Sequence, residues 1–201
     1  MALIKRNPLL KGASGTLGGT VSYRTVNGKL QMVNLPRKRK KNSKKQQDTI
    51  NRFTRAIRYA KQAMKDPALK TLYATGITGN KISAYQVAVA DSMNSPIVDY
   101  IKTPDYTGAI GDVITIKARD DFKVVRVEVN IVGANGKIIE NGDATRLLRK
   151  PNIWKYKATA VNPTAKGTVI KIRAFDIPDN IGLGEITLKD VLNHEGTKNT
   201  K

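Results

Sequence analysis

Cysteine is absent from the 201-residue chain, and histidine occurs once, as His194 in a polar C-terminal segment. Without thiols the chain can build neither a disulfide scaffold nor a thiolate metal site. A single histidine excludes His-rich metal sites and argues against most histidine-based catalysis. The sequence therefore predicts no cofactor and favours a function other than catalysis.

Long apolar runs are also absent, so no segment is predicted to span a membrane. The segment Met1–Pro8 lacks the apolar stretch of a secretory signal, so we expect cytoplasmic synthesis without a signal peptide. Apolar residues nevertheless make up 40% of the chain. That content is enough for a hydrophobic core and argues against disorder of the whole chain.

Acidic residues are scarce in the first part of the chain, and positive charge is concentrated there. Residues 1–75 hold 18 Lys and Arg against 2 Asp and Glu, whereas residues 76–201 hold 18 against 14. Most of the formal net charge of +20 therefore lies in the N-terminal part. Such an asymmetry indicates an anionic partner, and it carries no information about the fold.

The N-terminal residues 7–19 are rich in glycine and read as an irregular arm. The glycine spacing lacks the Gly-Lys-Ser/Thr ending of a phosphate-binding loop. Two interpretations stay open: a disordered terminus, or an arm that contacts neighbouring subunits. Two strand-like runs follow at 20–26 and 29–33, and Asn27-Gly28 between them predicts a β-hairpin with a type I′ turn.

A run of cations at residues 37–45 follows the hairpin and cannot pack in a core. With two arginines of the next segment it forms our candidate site for an anionic partner: Arg37, Lys38, Arg39, Lys40, Lys41, Lys44, Lys45, Arg52 and Arg55. Three interpretations remain open: contacts to nucleic-acid phosphates, docking on an acidic protein surface, or a solvated loop. No base-reading motif accompanies the run, so phosphate contacts would be independent of nucleotide sequence.

About three helices are predicted after this run. Ser43 and Gln46 have the spacing of a capping box. The apolar residues of the first helix recur at intervals of three and four and predict one core-facing stripe: Ile50, Phe53, Ile57, Ala60 and Met64. We therefore expect Phe53 to pack in the core rather than stack on bases. Asp66-Pro67 starts a second helix that ends near residue 73, and a third covers about 82–93.

Beyond the prolines at 96 and 104 the apolar period becomes two, which is typical of half-buried strands. Alternation predicts strands at 114–118, 125–131, 154–158, 170–174 and 186–188. Asn135-Gly136 and Asn141-Gly142 predict turns on either side of a strand at 137–140. Six or seven short strands with regular turns are typical of a β-sandwich, with Trp154 in its core.

Residues 105–190 resemble a bacterial immunoglobulin-like domain. The segments that carry the resemblance are Ala118–Phe122, Val125–Ile131, Asn135-Gly136, Trp154–Tyr156 and Ala174–Asn180. In such domains the last segment often reads Ala-x-Asp-x-x-Gly-Asn, and here Asp179 stands in place of the glycine. We thus expect an α+β chain in two parts. Residues 1–94 form the basic arm, hairpin and helices, residues 97–190 an Ig-like sandwich, and residues 191–201 a polar tail.

The N-terminal part resembles the opening of small bacterial proteins with a phage-like or mobile-element character. The resemblance is carried by Lys11-Gly12-x-x-Gly15-x-x-Gly18, Val21-x-Tyr23, Asn27-Gly28-Lys29, Pro36 and Ser83-Ala84-Tyr85. It implies a non-enzymatic structural or packaged component, associated with a particle such as a phage-like particle or contractile injection machine. The alternative is a nucleic-acid-binding protein of low sequence specificity.

Carboxylates cluster at two predicted strand ends, as Asp120-Asp121 and as Asp176-x-x-Asp179-Asn180. Their oxygens could bind Ca²⁺ between loops. The same residues are also typical of tight turns, where their side chains bond the local backbone. The sequence favours the turn interpretation, assigns no metal ligand and, without a nearby histidine or nucleophile motif, no catalytic pair.

Overall fold

The computed structural model describes residues 2–3, 10, 12–26, 28–35, 41–104 and 106–188. Within these residues the chain forms three antiparallel four-stranded sheets and three helices. Contacts divide the chain into two compact units, Met1–Asp48 and Thr49–Lys201. The predicted boundary between residues 94 and 97 falls inside the second unit.

The predicted fold class, an α+β chain in two parts, is wrong because the described residues are mostly β. The first unit holds a four-stranded sheet where only a hairpin was expected. Its strands are β1 (Ala2–Leu3), β2 (Gly15–Leu17), β3 (Val21–Val26) and β4 (Lys29–Asn34), in the spatial order β1-β4-β3-β2. The glycines read as an irregular arm flank the short strand β2, which pairs with β3.

The hairpin within this sheet is confirmed. β3 pairs with β4 in the register Val26↔Lys29, which leaves two residues for the turn. Gly28 has φ +72°, as a type I′ turn requires of its second central residue. Asn27 and residues 36–40 lie outside the described part of the chain.

Three helices follow: α1 (Lys44–Ala63), α2 (Pro67–Ala74) and α3 (Ala84–Met93). None of these described helices combines the length and hydrophobicity that a membrane-spanning segment needs. The capping box of α1 is confirmed, since the Gln46 N–H donates to Ser43 Oγ (3.3 Å) and the Ser43 N–H to Gln46 Oε1 (2.9 Å). Asp66 caps α2 with its side chain alone, because its Oδ1 accepts a hydrogen bond from the Ala68 N–H at 2.8 Å.

The packing face of α1 differs from the predicted stripe. Its buried residues are Ala56, Ala60 and Ala63, whereas Phe53 is 49% exposed and Ile50 is 42% exposed. The expectation that Phe53 belongs to the core is therefore wrong. Alanines allow a close approach to neighbouring elements, so the alanine face of α1 packs inward. Ile50 and Phe53 lie beside this face and stay partly exposed.

The second unit also contains a β-sandwich of two sheets. Its strands are β5 (Ile97–Lys102), β6 (Val113–Arg119), β7 (Arg126–Val132), β8 (Ile138–Asp143), β9 (Thr145–Leu147), β10 (Lys150–Lys157), β11 (Val169–Phe175) and β12 (Ile181–Thr187). One sheet has the order β5-β6-β10-β9 and the other the order β12-β11-β7-β8. The predicted strand periodicity is confirmed, because alternate residues of β6, β7, β10 and β11 are buried in one shared core. Trp154 lies in that core, as predicted.

One predicted turn is wrong. Asn135-Gly136 does form a turn, with Gly136 at φ +77°, but Asn141-Gly142 lies within β8 and pairs with β7. Gly142 serves packing instead: a Cβ there would lie 3.0 Å from a ring carbon of Tyr156. In this chain the glycine of Asn141-Gly142 therefore makes room for the Tyr156 ring against the backbone of β8.

We predict that acid weakens the sandwich through Glu128. Arg173 donates to its Oε2 at 2.6 Å and Asn141 to its Oε1 at 2.9 Å, and these hydrogen bonds lower the pKa of Glu128. A lowered carboxyl pKa adds stability above the unfolded-state pKa, and this stability is lost as the pH falls through the folded-state pKa. Glu128→Gln should lower the Tm by about 3 °C at neutral pH and barely change it at acidic pH. Thermal unfolding of the variant at both pH values measures this difference in Tm. The control is Glu185→Gln at an exposed position, which should change the Tm slightly and by the same amount at both pH values.

Candidate functional site

The predicted basic site falls on the first three turns of α1 and the residues before it. Every residue from 41 to 55 is exposed, including Lys41, Lys44, Lys45, Arg52 and Arg55. Arg37, Lys38, Arg39 and Lys40 lie outside the described residues. Between residues 41 and 65 the chain carries eight Lys and Arg against one Asp, so this segment is a strongly cationic surface.

The order of charges along α1 opposes helix stability. Lys44 and Lys45 stand in the first turn, which contains no acidic residue. The positive end of the helix dipole lies there, and it favours acids by about 0.3–1 kcal/mol each and disfavours cations. Sequences depart from such local preferences mainly at functional or strained sites.

Two apolar side chains stand among these cations. Ile50 and Phe53 lie three residues apart and therefore on one side of α1. On the same helix Arg52 donates from Nη2 to the carbonyl oxygen of Met93 at 2.6 Å, which ties α1 to the end of α3. The exposed surface of α1 is thus both cationic and apolar, and Arg52 links the helix to α3 within the second unit.

A second candidate site is a carboxylate cluster formed by Asp91, Asp120 and Asp176. They come from α3, from the residue after β6 and from the residue after β11. One carboxylate oxygen of each lies within 4.8 Å of the other two. Asp91 and Asp176 are both 0% exposed. We call this set the carboxylate cluster.

Neighbouring side chains orient two members of the cluster. The Tyr73 hydroxyl donates to Asp91 Oδ2 at 2.6 Å and lies 2.8 Å from the Tyr59 hydroxyl. Asn180 donates from its backbone N–H to Asp176 Oδ1 at 2.6 Å and from Nδ2 to Asp176 Oδ2 at 2.7 Å. The carboxylates are therefore positioned by short hydrogen bonds from buried or partly buried donors.

Burial shifts the acidity of the cluster. Burial and the neighbouring carboxyl groups of Asp120 and Asp176 raise the pKa of Asp91 to about 8, against the hydrogen bond from Tyr73, which lowers it. Burial likewise raises the pKa of Asp176 to about 6, although Asn180 opposes the shift. Burial and the hydrogen bond to Asp91 raise the pKa of Tyr73 above its ordinary value.

The predicted pairs of aspartates separate in the structure. Asp120 and Asp176 join the carboxylate cluster, whereas Asp121 and Asp179 are exposed. Asp179 has φ +65°, in the left-handed region that favours glycine, and it stands where the Ala-x-Asp-x-x-Gly-Asn pattern has glycine. The turn interpretation therefore fits Asp179, and the Asp121 carboxylate accepts a hydrogen bond from Asn94 at 2.7 Å.

Sequence reasoning missed Asp91. The signal was present in its spacing, because Ala84, Val87, Ala88 and Asp91 follow an i, i+3, i+4, i+7 pattern and form the buried face of α3. A charged residue at a core-facing helical position needs a partner or a proton. Its hydrogen-bond donor is Tyr73 of α2, and the two carboxyl groups beside it follow β6 and β11, which local spacing does not reveal.

Comparison with known proteins does not assign a family. No protein-family model matches the chain, and no curated protein matches it. A solved structure with some similarity is the crystal structure of CopC from Methylosinus trichosporium OB3b, with 17% identity over 45% of this chain and 87% of that one. The TM-score of 0.33 does not establish a shared fold.

Proposed function

We propose that this protein is a non-enzymatic component of a larger assembly and docks through α1 onto an acidic surface of a partner protein. The observation that carries the proposal is the exposed, cationic and partly apolar surface at residues 41–55. In the sequence, four further cations at residues 37–40 come directly before residue 41. The N-terminal resemblance supports a phage-like particle or contractile injection machine as the assembly.

The two exposed apolar residues favour a protein partner over a phosphate backbone. Full burial of a large apolar side chain contributes about 1.5–3 kcal/mol, so burying the exposed halves of Ile50 and Phe53 adds about 2 kcal/mol. An exposed ion pair contributes about 0.5 kcal/mol, so this gain equals that of about four such pairs. A duplex backbone offers charge and no apolar groove, whereas an acidic protein surface can offer both.

Binding to three defined probes tests the proposal. The probes are poly-glutamate, a glutamate–leucine copolymer and a short random-sequence DNA duplex, each measured by fluorescence anisotropy over a range of salt concentrations. We expect the copolymer to bind most tightly and to keep most of its affinity in salt. Tighter binding to DNA with a steep salt dependence would support the nucleic-acid alternative, and no binding to any probe would reject both.

A charge variant locates the surface. Replacing Lys41, Lys44 and Arg55 by Gln removes three exposed cations, and at about 0.5 kcal/mol each the affinity for the copolymer should fall about tenfold. The matched control replaces Lys155, Lys157 and Lys171, three exposed lysines of the sandwich, and should change it less than twofold. Equal losses in both variants would show that net charge alone is responsible.

A further inference from the structure

The carboxylate cluster carries an inference that is independent of α1. The cluster brings together three carboxyl groups that come from separate elements of the second unit. Among the ion pairs of the described residues, none joins a lysine or arginine to any of these aspartates. A buried carboxyl group in a protein keeps its proton, is paired with a cation or coordinates a metal ion, and a metal ion would take the place of the protons in this cluster.

Unpartnered oxygens provide a second observation. Oδ1 of Asp91 and Oδ1 of Asp120 are buried and accept no hydrogen bond. Asp91 itself is fully buried. Its other oxygen accepts from Tyr73, which fixes the carboxyl group and leaves Oδ1 available to a ligand. A buried acceptor without a partner costs about 1–3 kcal/mol, and two of them in one cluster indicate either a proton shared between Asp91 and Asp120 or a ligand that binds both.

We propose that Asp91, Asp120 and Asp176 bind one divalent, oxygen-preferring cation, with Ca²⁺ as the preferred ion. Carboxylate oxygens are the ligands that such a cation prefers. Two oxygens bound to one Ca²⁺ lie at most about 4.6–5.2 Å apart, and the three carboxylate oxygens lie within 4.8 Å of one another, so one ion can reach all three. Mg²⁺ keeps several waters and demands octahedral geometry, which suits a buried three-carboxylate site less well.

The cation would join two parts of the second unit. Asp91 belongs to α3, whereas Asp120 and Asp176 follow strands of the two facing sheets. Asn180 already connects these parts by donating from Nδ2 to the carbonyl oxygens of Asp91 (3.2 Å) and Asn94 (3.3 Å). A bound ion would add a cross-link between helix and sandwich, so binding should stabilise the folded chain.

Calorimetric titration and thermal unfolding of the full chain, first treated with chelator, test the site. Titration with calcium chloride should give one site per chain. At a calcium concentration of about 100 times the Kd, the Tm should rise by about 5–10 °C. Magnesium chloride should give a smaller rise at the same concentration. No heat and no Tm shift with calcium would overturn the proposal, because protons shared among the carboxyl groups would then suffice.

Variants assign the calcium response to the cluster. Asp120→Asn is the first choice, because Asp120 is only partly buried and the fold should tolerate the amide. It should abolish most of the Tm shift caused by calcium, and Asp176→Asn should do the same. Asp143→Asn, an exposed aspartate of β8, is the matched control and should keep the full shift. A full shift in Asp120→Asn would place the ion elsewhere and overturn the assignment.

Discussion

Gly182→Ala should lower the free energy of unfolding by about 3 kcal/mol or more, one of the two largest effects that we expect. A Cβ at this position of β12 would lie 2.0 Å from the carbonyl oxygen of Pro96, a distance that no contact between these atoms allows. Pro96 cannot easily move, because β5 begins at the next residue and pairs there with β6. Gly184 repeats the pattern, since its Cβ would lie 2.8 Å from Val98.

Chemical denaturation of the variant measures this effect, and the chain offers a close control. Gly79 has open space around its Cβ position and no left-handed φ, so Gly79→Ala should change the stability by less than about 0.5 kcal/mol. If Gly182→Ala also stays within that limit, the edge strands β5 and β12 can separate without penalty. The two sheets would then be packed less tightly than the structure indicates.

The long strands of the sandwich could be predicted from the sequence, whereas the short strands of the first unit could not. In runs such as Ile114–Ala118 alternate side chains lie in the core, so period two identifies β6, β7, β10 and β11 without further information. β1 and β2 have two and three residues, too few for any period to show. Their pairing with β4 and β3 depends on neighbours in the sheet, and for this reason the predicted fold class contained too little β-structure.

The face of α1 was mispredicted for a related reason. Periodicity shows on which side of a helix the apolar residues lie. In α1 the side with Ile50 and Phe53 is adjacent to the alanine face that packs inward, and periodicity does not show which of the two is buried. Which of two overlapping faces is buried depends on the surface opposite, and the alanines permit the closer approach. The exposure of Phe53, which moves it from the expected core to the proposed docking surface, depends on the tertiary structure.

The carboxylate cluster shows the same limit for a site. The sequence alone identifies Asp120 and Asp176 as acids at strand ends, a pattern that fits both calcium binding and tight turns. Their convergence with Asp91 depends on how α3 packs against the sandwich, which no local spacing encodes. Whether Asp120 and Asp176 only form turns or can also share a cation therefore depends on the position of α3, which brings Asp91 to them.

Tyr73→Ala should destabilise the protein by about 4 kcal/mol, the second large effect that we expect. Tyr73 is fully buried, and its ring contacts Phe122 at 5.1 Å and Tyr59 at 6.5 Å between centroids. Removing the ring leaves a cavity where the helices meet the sandwich, and surrounding side chains relax only partly into such a space. Equilibrium unfolding in chelator measures the loss without any contribution from bound cations.

Tyr73→Phe separates the hydrogen bond from the packing. The phenylalanine keeps the ring and removes only the hydroxyl that donates to Asp91 Oδ2, which leaves a fully buried acceptor without its donor. That loss should cost about 1–3 kcal/mol, less than the loss from Tyr73→Ala. If Tyr73→Phe is as stable as the natural chain, the hydroxyl contributes nothing and Asp91 must be satisfied in another way. If it is as unstable as Tyr73→Ala, the hydrogen bond dominates, and the ring contacts with Phe122 and Tyr59 contribute little to joining the helices to the sandwich.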